Sequence, residues 1–204
     1  MTLLINVDEL LKRRKLLIFD FDGTIADTTP LHAEAFREVL EPLGIAVDYH
    51  SIAGLKTLDA MKKCLAAAQY SLSEPEIGEL VQLKQQCVRK MISRELYPLP
   101  AVDDFLREVR SRCRLSMVTS GSRGTVNLSL EKLGYTGWFD PLICADDVHN
   151  AKPDPEGFLK VLNHSGISAD QALVFEDSEA GFEAARHAGL AYIDAAQLHS
   201  KGFT

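Results

Sequence analysis

A chain of 204 residues accommodates one core domain with a modest insert and excludes two full-sized domains. Hydrophobic residues at 46% and charged residues at 25% are ordinary for a globular protein. A formal net charge of −7 argues against broad nucleic-acid binding, which needs basic surface to displace counterions, but a small anionic ligand needs only a few local cations and a metal.

Leu3, Leu4, Val7, Leu10 and Leu11 recur at helical spacing, so the chain is expected to open with a short amphipathic helix. Its apolar stretch precedes the basic cluster Lys12-Arg13-Arg14-Lys15, the reverse of a secretory signal. No apolar run approaches the ~20 residues that span a bilayer, so a cytoplasmic protein without a membrane partner is expected. Cys64, Cys87, Cys113 and Cys144 are scattered, without a CxxC pair or cysteine-histidine metal spacing, and read as reduced core residues.

Leu16-Leu17-Ile18-Phe19 is an apolar run of strand length, suited to a strand buried on both faces of a parallel sheet. Similar runs recur at Leu115 to Val118, Leu142 to Cys144, Ala172 to Phe175 and Ala191 to Ile193. Helical patterns near 102–111, 123–133, 155–165 and 178–188 separate them, the alternation of a doubly wound α/β domain. Between about 28 and 95 the alternation stops, and helical patterns near 30–43, 57–69 and 74–92 replace it. Thr29-Pro30 reads as an N-cap and first helical residue, with Leu31, Ala35, Phe36, Val39, Leu40 and Leu43 forming one stripe. The expected organisation is an α/β core from residues 1–27 and 96–204, with a helical cap over 28–95.

Ligands of open parallel sheets sit beyond the carboxyl ends of the strands. The first strand runs into Asp20-Phe21-Asp22-Gly23-Thr24, and strand periodicity puts Asp20 and Asp22 on one side. Two carboxylates so close need a cation or a shared proton, though an isolated DxDG is as readily a solvated acidic turn. Thr119-Ser120-Gly121 follows the second strand and offers a hydroxyl and turn amides to a phosphoryl oxygen, or ordinary turn chemistry. Lys152-Pro153-Asp154-Pro155 follows the third; Asp154 and Pro155 suit a helix start, while Lys152 alone reads as solvent-facing. The fourth delivers Glu176-Asp177-Ser178, with Gly181 inside the next helix, and with Asp20 gives an oxygen-rich set suited to Mg²⁺.

Taken together and in this order, the motifs Asp20-Phe21-Asp22-Gly23-Thr24, Thr119, Lys152 and Glu176-Asp177 resemble those of the haloacid dehalogenase superfamily over essentially the whole chain. The insert and the stretch Asp27-Thr28-Thr29-Pro30-Leu31-His32 resemble its β-phosphoglucomutase-like branch. The resemblance implies a phosphatase in which Asp20 is the nucleophile and Asp22 the general acid and base. Asp20, Asp177 and the backbone carbonyl of Asp22 would hold Mg²⁺, with Glu176 supporting the metal through water. Thr119, Ser120, Gly121 and Lys152 would bind the transferring oxygens, and His32 would couple the cap to Asp22.

The second aspartate of the first motif favours phosphate chemistry over dehalogenation. Mutases of that branch carry a cap arginine, whereas the corresponding stretch here is Gly54-Leu55-Lys56-Thr57. A monomeric phosphatase of small sugar phosphates is therefore expected, similar to enzymes acting on fructose-1-phosphate and 6-phosphogluconate. A phosphomutase is the alternative, and a receiver-like signalling domain a distant one. Lys56, Lys84 and Arg123 are the candidate specificity contacts, each of which taken alone reads as surface charge.

Overall fold

The computed structural model describes residues 6–195, so Leu3 and Leu4 of the expected first helix lie outside the described residues. Asn6 caps helix α1 (Val7–Arg13) by accepting the Glu9 amide at 3.0 Å. Strand β1 (Leu16–Phe19) follows and takes the centre of a five-stranded parallel sheet ordered β3-β2-β1-β4-β5. The others are β2 (Arg114–Val118), β3 (Leu142–Ile143), β4 (Ala172–Glu176) and β5 (Ala191–Asp194).

The strand alternation sorts the core into two layers. Leu17, Phe19, Leu115, Met117, Leu173 and Phe175 face one way, against α5 (Pro100–Val109) and α6 (Arg123–Leu133). Leu16, Ile18, Val118, Ala172 and Val174 face the other, against α7 (Glu156–Ser165) and α8 (Glu179–His187). All four residues of β1 are buried, which explains its unbroken apolar run. The Phe19 and Phe175 rings stack at 4.6 Å and anchor the two strand ends that carry Asp20 and Glu176.

Helices α2 (Thr29–Leu40), α3 (Thr57–Ala67) and α4 (Glu74–Glu95) fill the gap between β1 and α5. Phe36, Val39, Leu40, Ile45, Ile52, Met61, Leu65 and Ile77 make a separate apolar cluster there. The far end of α4 joins the main core instead, through Val88 and Ile92. The chain leaves and re-enters the sheet layer side by side: Ala26 bridges Pro98, and the Leu99 amide donates to the Ile25 carbonyl at 2.8 Å.

One expected helix start moves. Thr28 is the N-cap of α2 and Thr29 its first residue. The Thr28 side chain makes no capping bond, because its hydroxyl donates to Asp22 instead. All four cysteines are free, two buried and two half-buried. Among the described residues no helix is long and apolar enough to cross a membrane.

Candidate active site

Each polar residue singled out at a strand end arrives at the same edge of the sheet. Asp20 continues β1 by donating its amide to the Phe175 carbonyl at 2.9 Å, which fixes its backbone beside β4. Its carboxylate is buried and accepts from the Lys152 ammonium at 2.7 Å. The same ammonium reaches Glu176 Oε1 at 2.5 Å and the Val118 carbonyl at 3.0 Å, so its three donors are all used. The solvent-facing reading of Lys152 thus fails: its side chain is 7% exposed. The two carboxylates outweigh burial and hold its pKa above the ordinary value.

Glu176 is held from all sides. Besides Lys152, it accepts from the Asp177 and Ser178 amides, each at 2.7 Å, and from the Ser178 hydroxyl at 3.0 Å. Burial opposes its charge, but Lys152 and these donors outweigh it and hold the pKa below the usual carboxylate value. Gly181 makes room for this carboxylate, since a β-carbon there would lie 1.9 Å from Glu176 Oε1. Gly23 is required twice over: its φ is +81°, and a β-carbon would lie 2.1 Å from Asp177 Oδ2.

A cation fits here on charge alone. Asp20, Glu176 and Asp177 each offer an oxygen within 4.8 Å of the others, and Lys152 supplies a single balancing charge. Burial first, and then Glu176, push the Asp177 pKa up to about 6, while burial and the neighbouring carboxylates push Asp20 well above its usual range against the pull of Lys152. The donor set is all oxygen, with Asp177 exposed and Glu176 already saturated by hydrogen bonds, which suits Mg²⁺ at Asp20 and Asp177 with Glu176 outside the direct ligands.

These groups open into one cavity, roofed by α2 to α4. Asp20, Asp22, Ser120, Gly121, Lys152 and Asp177 line its floor. Thr119 lies just behind: its buried hydroxyl accepts the Gly121 amide at 3.0 Å, and it faces a neighbouring recess. Asp22 accepts the Thr28 hydroxyl and has His32 Nε2 at 3.7 Å. His32 Nδ1 lies 2.8 Å from the Lys84 ammonium, which can only donate, so the proton of the neutral ring belongs on Nε2, facing Asp22. Burial, with Lys84 adding to it, lowers the His32 pKa to about 4.

The three cation candidates divide. Lys84 is 1% exposed, lines the roof, and packs over the Phe36 ring at 4.7 Å, which corrects its reading as surface charge. Lys56 does not line this cavity; from the N-cap of α3 it donates to the Val148 carbonyl at 3.0 Å, tying the helical layer to a core loop. Arg123 turns away as well, donating to the Leu142 carbonyl at 2.8 Å and pairing with Asp147. Sequence reasoning missed Gln85 and Thr125 and gave no role of their own to Thr28 and to Ser122, which follows Gly121; all four lie at or beside the cavity. A threonine six residues past Asp22 carried a signal only through its proximity to the motif.

A parallel sheet with four polar strand ends in this order defines a hydrolase class, and the chain belongs to it: residues 17–195 match the family model described as haloacid dehalogenase-like hydrolase. This membership removes the receiver-domain reading. The chain is 33% identical to a fructose-1-phosphate phosphatase, YqaB, of Escherichia coli over 178 residues, which cover 87% of this chain and 94% of that one. It is also 33% identical to a phosphorylated carbohydrates phosphatase of Thermotoga maritima, covering 85% and 81% of the two chains. The structure of a β-phosphoglucomutase from Clostridium difficile superimposes with a TM-score of 0.80 at 27% identity, covering 89% and 84%.

Proposed function

We propose that this hydrolase is a phosphatase of small phosphorylated sugars and that it works through an aspartyl-phosphate on Asp20. One Asp20 oxygen attacks phosphorus, and the bond from phosphorus to the sugar oxygen breaks. Asp22 gives its proton to that oxygen as it leaves. Asp22, now a carboxylate, takes a proton from water, the water oxygen attacks phosphorus, and Asp20 departs with the electrons of its own bond. The net change is one phosphate ester and one water converted to one alcohol and inorganic phosphate.

Carrying this reading is the buried contact of Asp20 with Lys152 at the floor of a cavity that also holds Asp22. Lys152 opposes the burial that raises the Asp20 pKa and adds positive charge where the phosphoryl oxygens gather charge, while Glu176 fixes Lys152 in place. Ser120 and Gly121 line the cavity where those oxygens would sit, and the Thr119 hydroxyl holds the Gly121 amide from behind. Mg²⁺ on Asp20, Asp177 and the Asp22 backbone carbonyl would neutralise the phosphate and the crowded carboxylates. Neutral His32 presents an N–H towards Asp22, and Thr28 donates to the same oxygen, so both act on the acid-base residue rather than on phosphate.

Residues 28–95 serve in this reading as a cap that closes over Asp20, pivoting where Ile25 and Leu99 are joined. A phosphomutase would need a cap cation for a second phosphate. The stretch Gly54-Leu55-Lys56-Thr57 has no arginine, and its lysine is bonded to Val148, which favours the phosphatase.

The test is phosphate release from a panel of sugar phosphates with Mg²⁺ and with chelator, alongside inhibition by beryllium trifluoride with Mg²⁺. Activity indifferent to chelator and to beryllium trifluoride would refute the mechanism. Glucose-6-phosphate formed from β-glucose-1-phosphate faster than free phosphate would promote the mutase.

A further inference from the structure

Next to Ser120 and Gly121, the cavity wall carries two hydroxyls held in an unusual way. Ser122 is the N-cap of α6, a position whose side chain ordinarily accepts an amide of the first turn. Here it makes no capping bond, and its hydroxyl lies 3.0 Å from Thr125 Oγ1. Thr125 is buried, and both residues line the cavity. From the other side, Arg89 of α4 donates through Nε to the same Thr125 oxygen at 3.2 Å.

Arg89 can lie there because residue 124 is glycine. A β-carbon at Gly124 would meet Arg89 Nη2 at 2.7 Å. Glycine is a poorer helix former than alanine. The first turn of α6 therefore gives up both its serine cap and its helix propensity, and what it keeps is a hydroxyl pair oriented by an arginine from the helical layer.

The charges of the cavity point the same way. Its two lysines are committed, Lys152 to Asp20 and Glu176, Lys84 to His32 and the Phe36 ring. The rest of the wall offers Gln85, Ser122 and Thr125 beside apolar side chains. The cavity volume of ≈ 140 Å³, part of it taken by the floor of Asp20, Asp22 and Lys152, limits whatever else binds there to a small moiety.

We propose that Ser122 and Thr125, oriented by Arg89, read the hydroxyls of an uncharged substrate moiety of single-sugar size, so the enzyme takes neutral sugar monophosphates and rejects those bearing a second anion. Ser122 and Thr125 are specificity residues in this proposal, and Arg89 is a positioning residue acting through Thr125. The proposal rests on the phosphatase reading above.

The experiment compares kcat/KM for fructose 1-phosphate, fructose 1,6-bisphosphate and p-nitrophenyl phosphate, all with Mg²⁺. Wild type should prefer the monophosphate over the bisphosphate by ~10-fold or more. Thr125→Val should lower the ratio of fructose 1-phosphate to p-nitrophenyl phosphate turnover by ~5–100-fold, the scale of one lost polar contact. Thr125→Ser should restore most of that ratio. Arg89→Gln should lower it mainly through KM. Equal use of the bisphosphate, or an unmoved ratio in Thr125→Val, overturns the proposal. If wild type hydrolyses none of the three, including p-nitrophenyl phosphate, the phosphatase reading itself has failed and the proposal falls with it.

Discussion

Gly181→Ala reverses the usual sign of a glycine-to-alanine change. In a helix with open space, alanine stabilises by ~0.5–1 kcal/mol. At residue 181 the added β-carbon would lie 1.9 Å from Glu176 Oε1 and 2.0 Å from its Cδ. Helix backbone cannot yield by that much, so the Glu176 carboxylate must leave its place. Overpacking costs ~1–3 kcal/mol, and weakening even one charge-assisted bond of the set from Lys152, Asp177 and Ser178 adds ~1.5–3 kcal/mol. After the propensity gain the net loss is ~2–5 kcal/mol, or ~4–20 °C in Tm for a chain of this size. Gly78→Ala in α4 is the control: nothing lies within 4 Å of its β-carbon, so it should gain ~1–4 °C. Thermal melts of both variants in chelator, with turnover in Mg²⁺, decide the matter. A Gly181→Ala protein as stable and as active as the Gly78→Ala control would show that Glu176 does not need its place, and the account of Lys152 would fail with it.

Asp20→Asn should lower phosphate release by ~10³-fold or more in purified protein; substantial residual turnover would sink the covalent route. Asp177→Ala should raise the Mg²⁺ needed for half-maximal activity by ~10-fold or more, and failure of excess Mg²⁺ to recover any activity would mark structural damage instead. His32 should make stability pH-dependent with a definite sign. Its folded pKa of about 4 lies below the ordinary 6.5, so the unfolded chain binds the proton first, and its contribution is complete above pH 6.5 and lost as pH falls towards 4. Urea unfolding should therefore show wild type weakening relative to His32→Gln across that window; parallel curves would contradict a buried neutral ring.

The floor of the cavity was legible because its residues sit next to strands. Apolar runs locate β1, β2 and β4, and the residues just past them must emerge at one edge of a parallel sheet. Gly23 and Gly181 carried the further signal that something approaches the backbone closely, and the carboxylates of Asp177 and Glu176 are what approaches. The wall and roof were not legible, because they depend on how α4 crosses the core. Lys84 and Arg89 differ by five positions on one helix, yet one is buried under the roof against His32 and the other reaches Thr125. Lys84 falls on the stripe of Ile77, Val88 and Ile92, a periodicity that separates it from exposed Lys90, but nothing local announces its partner His32 or the reach of Arg89 to Thr125. Lys56 and Arg123 illustrate the opposite case: cations close to the right motifs, each taken by a backbone carbonyl that only the tertiary structure brings within reach.

The strand order also governs how such a molecule comes into being. β1 is translated long before its partners: Leu16 pairs with Arg114 on one side and Ala172 on the other. At ~5–20 residues per second, Glu176 is added roughly 8–30 s after Asp20. Over that interval β1 has no partner on its β4 side, while α2 to α4 can already gather the apolar cluster of residues 36–77. Non-local pairing of this kind is slow and leaves a hydrophobic edge open to other chains. A ribosome that stalls between β2 and β4 holds a nascent chain whose Asp20 has neither Glu176 nor a completed sheet beside it. Truncation before residue 172 therefore leaves the central strand without its β4 neighbour, and should give aggregation rather than a smaller enzyme.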